Sequence, residues 1–125
     1  MVDNFFKTGI FSVEELEERR RVSGKPTTVV LMGQEIRTVR KAAGLSRMAI
    51  AARCGTNADQ LGRFEHGIGS VSLSSLKQLC AVLNLNVIEL IAFSSHMSSE
   101  KAQQTLQMAE TWTGKPLLLE DIFFD

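Results

Sequence analysis

Apolar positions along the chain fall into short stripes at helical spacing, broken by clusters of Gly, Ser and Asn. The pattern predicts an all-α protein. A leader carrying Phe5, Phe6, Ile10 and Phe11 comes first. Ser12-Val13-Glu14-Glu15 then forms a capping-box pattern that opens a short charged helix ending near Val22-Ser23-Gly24. Lys25-Pro26 reads as a linker. Beyond it, Val29, Met32, Ile36, Val39 and Ala43 recur on one face of a helix that Thr28 can cap. Ser46 is a suitable N-cap for the next helix, where Met48, Ala49, Ala52 and Arg53 follow at helical spacing and Ile50 points toward the next core layer. Cys54-Gly55-Thr56-Asn57 ends it, with Gly55 able to take the left-handed conformation. Asn57 caps a third helix, with Leu61 and Phe64 on one face and Ala58, Asp59, Gln60, Gly62 and Arg63 on the other.

Leu73, Leu76, Leu79, Cys80 and Leu83 make a fourth stripe, closed by Asn84-Leu85-Asn86. Asn86 with Glu89 repeats the capping-box spacing and predicts a fifth helix through about Phe93; a strand over Val87 to Phe93 is the competing reading. Ser94 to Ser99 breaks the pattern. Ser98 or Ser99 can cap a helix from Glu100 to Thr111 that carries Ala102, Leu106 and Ala109, with Met108 and Trp112 beside them, before Gly114-Lys115-Pro116 stops it. The tail from Leu117 to Asp125 is strongly apolar for a terminus. Both apolar ends need cover, from the domain itself, a second copy or another protein. Three segments follow: an extension over 1–26, a central domain over 27–93, and a C-terminal helix and tail over 94–125 suited to dimerisation or partner contact.

The stretch from Leu45 to Gly67, a small apolar helix joined by a tight turn to a helix with a short polar outer face, has the helix-turn-helix plan. It resembles the lambda-repressor-like (Cro/cI-type, Xre-like) helix-turn-helix family, a five-helix DNA-binding fold. The segment Met32 to Ser46 is similar to that family's first helix and its link to the second. Val71 to Leu83 resembles the fourth helix, and Asn86 to Leu90 the start of the fifth. The likeness covers about residues 28 to 93 and leaves short helical extensions at both ends.

The resemblance implies a reading head on the third helix, whose first turn and a half enters the major groove. Asn57, Ala58, Asp59 and Gln60 fill that turn and Arg63 lies one turn further on. Arg63 could take guanine O6 and N7 together, Gln60 could address adenine, and Asp59 could accept from cytosine N4. Asp59 equally suits a cap role at the positive end of the helix. Ala58 offers a methyl surface to thymine. Arg47, where the family commonly has glutamine, is assigned to phosphate, with a base edge as the alternative. Ser46 and Thr56 supplement it with the free amides of both helix starts. His66 matches a position beside the DNA backbone, or is simply a solvated histidine. Arg40 and Glu65 correspond to a family pair that holds the recognition helix against its support; a phosphate contact is the alternative for Arg40. Gly62, costly inside a helix, implies close approach of another helix or of DNA.

Charge looks unsuited to DNA until it is divided. The 125 residues hold 14 basic and 14 acidic side chains, and the three segments carry net charges of 0, +3 and −3. The modest positive excess sits on the central domain, where phosphates would be met, and doubling it in a homodimer would help. Arg19-Arg20-Arg21 reads as a solvated face or as a backbone contact. Cys54 and Cys80 lie on apolar faces, which favours buried free thiols and a cytoplasmic chain. No apolar run reaches membrane-spanning length, so no membrane partner is expected. With His66 and His96 the cysteines show no ligand spacing, so neither a metal nor another cofactor is expected. No nucleophile–base pair stands apart from the helix-turn-helix pattern, which argues against an enzyme. The expected function is a sequence-specific DNA-binding transcription regulator: a dimeric repressor reading a palindromic operator in double-stranded DNA. The alternative is an antitoxin-type module that binds a protein partner through its apolar ends and regulates its own operon.

Overall fold

Pro26 fixes the chain in an extended turn (φ −59°, ψ 146°) from which the first helix, α1, runs over Thr27–Ala42. The computed structural model describes residues 25–112 and 117–123. The predicted leader and charged helix, and the Gly114-Lys115-Pro116 stop, lie outside the described residues. α1 has no side-chain cap: Thr28 lies inside its first turn and is buried, which corrects the cap expected there. Its first half is buried all round, Val30, Leu31, Gln34 and Glu35 as well as the expected Val29, Met32 and Ile36. Val39 is half-buried and Ala43 exposed at the end of the helix.

α2 (Arg47–Ala51) is short and runs into a 3-10 turn over Ala52–Cys54. Its buried residues are Ile50, Ala51 and Cys54, whereas Met48, Ala49 and Ala52 face outward. The expected stripe was therefore rotated. In so short a helix the i, i+1, i+4 set that reaches the core has only one large residue, Ile50, beside Ala51 and Cys54, and its spacing gives a weak signal. α3 (Ala58–Glu65) and α4 (Leu73–Val82) bury the expected Leu61, Phe64, Leu73, Leu76, Leu79 and Cys80, with Leu83 at the C-cap. The next segment, α5 (Val87–Ser95), is a helix and not a strand; the Asn86 side chain accepts from the Glu89 amide at 3.1 Å. α6 (Ser99–Glu110) is capped by Ser98, which accepts from the Lys101 amide at 3.1 Å.

α1 packs on α3 and α5, and α6 covers α5. The tail then folds back. Leu73 donates to the Leu117 carbonyl at 2.8 Å and Leu119 to the Val71 carbonyl at 3.2 Å, flanking a single antiparallel bridge between Ser72 and Leu118. A last turn, α7 (Leu119–Ile122), buries Leu119 completely, and Phe123 follows it inward. Lys25 closes the arrangement with an ion pair to Glu120 at 2.8 Å. Leu119 and Phe123 belong to the same hydrophobic core as Met32, Ile36, Phe64 and Leu76, so the tail is cover for this core. Each such side chain contributes about 1.5–3 kcal/mol.

Cys54 and Cys80 are free and buried, as expected. Burial pushes the Cys80 thiol up to about 12. It also raises that of Cys54, against the opposing charge of Arg53. Neither is a reactive thiolate. Among the described residues no single helix is long and apolar enough to cross a membrane; at the link between the apolar α4 and α5 the chain bends by 117°.

Candidate nucleic-acid interface

The turn between α2 and α3 is built from local chemistry. Ser46 accepts from the Ala49 amide at 3.1 Å and Asn57 from the Gln60 amide at 2.8 Å, so both helices start at fixed points. Gly55 takes φ 73°, a left-handed conformation that suits glycine and lets its amide close on Ala52. Ser75 of α4 donates its hydroxyl to the Gly55 carbonyl at 3.2 Å. This contact ties the turn to the core, and the sequence pattern gave no hint of it.

The inner face of α3 is seated on α1 at two points. At Gly33 the helices approach so closely that a Cβ there would stand 2.0 Å from the Phe64 carbonyl oxygen. Further along, Arg40 grips Glu65 with two bonds, Nε to Oε2 at 2.6 Å and Nη2 to Oε1 at 2.9 Å, and gives its remaining Nη1 to the Leu45 carbonyl at 2.7 Å. Both side chains are buried. A buried fork-to-fork pair of this kind is sensitive to loss of either member, because the other would be left charged in the core. It ties α1, the α1–α2 link and the end of α3 together.

The outer face of α3 stays in solvent. Asp59, Gln60 and Arg63 are exposed and Ala58 half-exposed. Asp59 pairs with Arg63 one turn on, at 3.3 Å. An exposed pair like this is worth at most about 1 kcal/mol, so it orients Arg63 along the face without locking it there. The Thr56 hydroxyl bonds one side of the Gln60 amide at 2.9 Å and leaves the other edge outward. Arg47 reaches back across α3. A Cβ on Gly62 would stand 3.2 Å from its Nη1, and the same nitrogen lies 3.8 Å from Glu65 Oε1. The close neighbour expected at Gly62 is therefore a side chain of α2. His66 closes the end of α3, with Nδ1 donating to the Gly62 carbonyl at 2.7 Å.

Of the expected contact residues, Arg47, Ala58, Asp59, Arg63 and His66 surround one shallow notch of about 230 Å³, together with Gly62 and the exposed Ile68. Ser46, Arg47, Ala58 and Asp59 border a second, of about 450 Å³, whose remaining wall is Met48. Asn57, Thr56 and Gln60 stand at the start of α3 and line neither. Met48 was expected among the packed positions of α2 and is instead part of this surface. Cys54, Cys80, His66 and His96 do not gather into a metal-holding group among the described residues.

No curated protein and no solved structure was found to match the chain. A family model described as "Helix-turn-helix domain" matches residues 31–92, the segment from α1 into α5 that contains the clamp, the turn and the exposed face of α3. Residues 31–92 of this chain belong to the helix-turn-helix domain family, a DNA-binding family, consistent with the lambda-repressor-like resemblance.

Proposed function

We propose that the chain is a sequence-specific transcription regulator, a dimeric repressor that reads a palindromic operator through α3 in the major groove. The observation that carries this reading is the exposed face of α3, with Asp59, Gln60 and Arg63 outward, set on the buried Arg40–Glu65 clamp within the matched segment. Rigid seating of the helix from behind is what base readout needs, since base contacts demand fixed geometry. In this reading Arg63, Gln60 and Asp59 address base edges. Arg47, Ser46, Thr56 and His66 meet phosphate, Ala58 meets a methyl group, and Asn57 starts the helix. Dimerisation doubles the positive charge of the central domain and matches two half-sites about one helical turn apart. The site is proposed to work in the cytoplasm, without cofactor or catalytic step.

A second reading rests on a different surface. Met108 on α6, Trp112 just beyond it and Leu118 in the tail remain exposed, and Met108, Trp112, Leu117 and Ile122 line a groove of about 680 Å³. An apolar surface of this kind supports a protein contact, either the second copy or the partner of an antitoxin-type module. Selection of duplexes from a random pool by the full chain, with the stoichiometry of the complex weighed from the same material, separates the readings. Enrichment of a palindrome bound by two chains supports the repressor. Failure to enrich any sequence overturns it and favours the protein-binding module.

A further inference from the structure

Met48 is the most exposed large apolar residue among the described ones, at 82%. A lone exposed methionine needs no explanation by itself. Its place gives it one. Met48 forms a wall of the notch that also holds Ala58, the first residue of α3, with Arg47 and Asp59 on the rim. Both apolar residues stand just inside capped helix starts, Met48 behind Ser46 and Ala58 behind Asn57, so the surface they offer is fixed in place. It lies on the side of the domain where α3 presents its base-reading turn.

Resting on the DNA-reading proposal above, we infer that Met48 and Ala58 form a seat for the C5-methyl group of a pyrimidine, thymine or 5-methylcytosine, at the edge of the recognition site. Among the groups that bases expose in the major groove, the C5-methyl is the apolar one, and apolar side chains are its natural partners. Alanine alone covers one side of a methyl group. The unbranched, polarisable side chain of Met48 can close over the other, adapting to a contact whose shape it does not dictate. The rim complements this: Arg47 supplies positive charge for the adjoining phosphate. The exposed carboxylate of Asp59 on the same rim is paired to Arg63. Met48 thereby reads a base from α2, outside the recognition helix.

The test uses the full chain and a duplex enriched from a random pool. Each thymine of that duplex is replaced in turn by uracil, which removes only the methyl group, and affinities are compared for the native chain and Met48→Ala. Since Met48 is exposed, the variant is expected to keep the native melting temperature. The native chain should lose affinity about fourfold at one thymine per half-site, the value of one buried methyl-sized group. Met48→Ala, which keeps only the Ala58 side of the seat, should show a clearly smaller uracil penalty at that position. Replacing the thymine by cytosine and then by 5-methylcytosine decides the source: a gain of similar size on methylation extends the seat to both pyrimidines, and no gain confines it to thymine. Equal binding of thymine and uracil duplexes at every position, or an unchanged uracil penalty in Met48→Ala, overturns the seat while sequence-specific binding stands. Failure to enrich any duplex overturns the DNA reading and the seat with it.

Discussion

Arg47 lies across Gly62, with its Nη1 at 3.2 Å from where a Cβ on that residue would be. The glycine leaves room for an arginine from the preceding helix to cross α3 and reach the edge of the exposed face. Gly62→Ala should therefore separate stability from binding. The helix gains up to about 1 kcal/mol of propensity, because the partly exposed Arg47 side chain can move aside. DNA affinity should fall severalfold as Arg47 leaves its seat. Thermal unfolding and binding measured on the same variant check both signs.

Removing the clamp has the opposite signature. Arg40→Ala leaves Glu65 buried and charged with its two strong donors gone, and should cost about 3–5 kcal/mol. Lysine at 40 cannot reproduce the fork or the third bond to the Leu45 carbonyl, so Arg40→Lys should recover little of it. Denaturant midpoints of the two variants against the native chain decide this.

The caps Ser46, Asn57, Asn86 and Ser98 were legible in the sequence, because a cap is local chemistry between a side chain and an amide three residues on. The stripes of α3 and α4 were legible too, since large aliphatic and aromatic residues mark the inner face. The Arg40–Glu65 pair entered through family resemblance alone; 25 residues separate the two and no spacing rule connects them. Three features escaped. α2 is too short and too rich in alanine for its rotation to be read, which hid the exposure of Met48. Gly33 looked like an ordinary helix residue, and only the crossing of α1 over the Phe64 carbonyl shows why it has no side chain. The tail's apolar run announced a need for cover but not its answer, because the pairing of Leu117 and Leu119 with residues 71 and 73 is long-range.

Glu35 predicts a pH dependence of stability. It is buried on α1 with Oε1 unpartnered, and desolvation pushes its carboxyl up to about 7 from 4.5. Below pH 4.5 both folded and unfolded chains hold the proton. Between 4.5 and 7 the unfolded chain releases it while the folded chain keeps it, so stability from this group falls as pH rises through that window and levels off above it. Glu35→Gln should melt higher than the native chain at pH 8, with the gap closing toward pH 4.5. Paired melting curves across that range check the sign.

The tail belongs to the core. Leu119 is fully buried, so Leu119→Ala should cost about 2–5 kcal/mol. Deleting residues 117–125 should lower the melting temperature of the whole helix-turn-helix unit. A truncated chain that melts like the native one would show that the core closes without its tail.

The central claim is that the outer face of α3 reads base edges, and Arg63 tests it most directly. The duplex selection is run in parallel on the native chain, Arg63→Ala and Arg47→Ala. Arg63→Ala should lose its preference at one base pair per half-site, a discrimination of about 1–3 kcal/mol, and keep the rest of the motif. Arg47→Ala should bind all duplexes more weakly with the motif intact. An unchanged motif from Arg63→Ala would contradict the account.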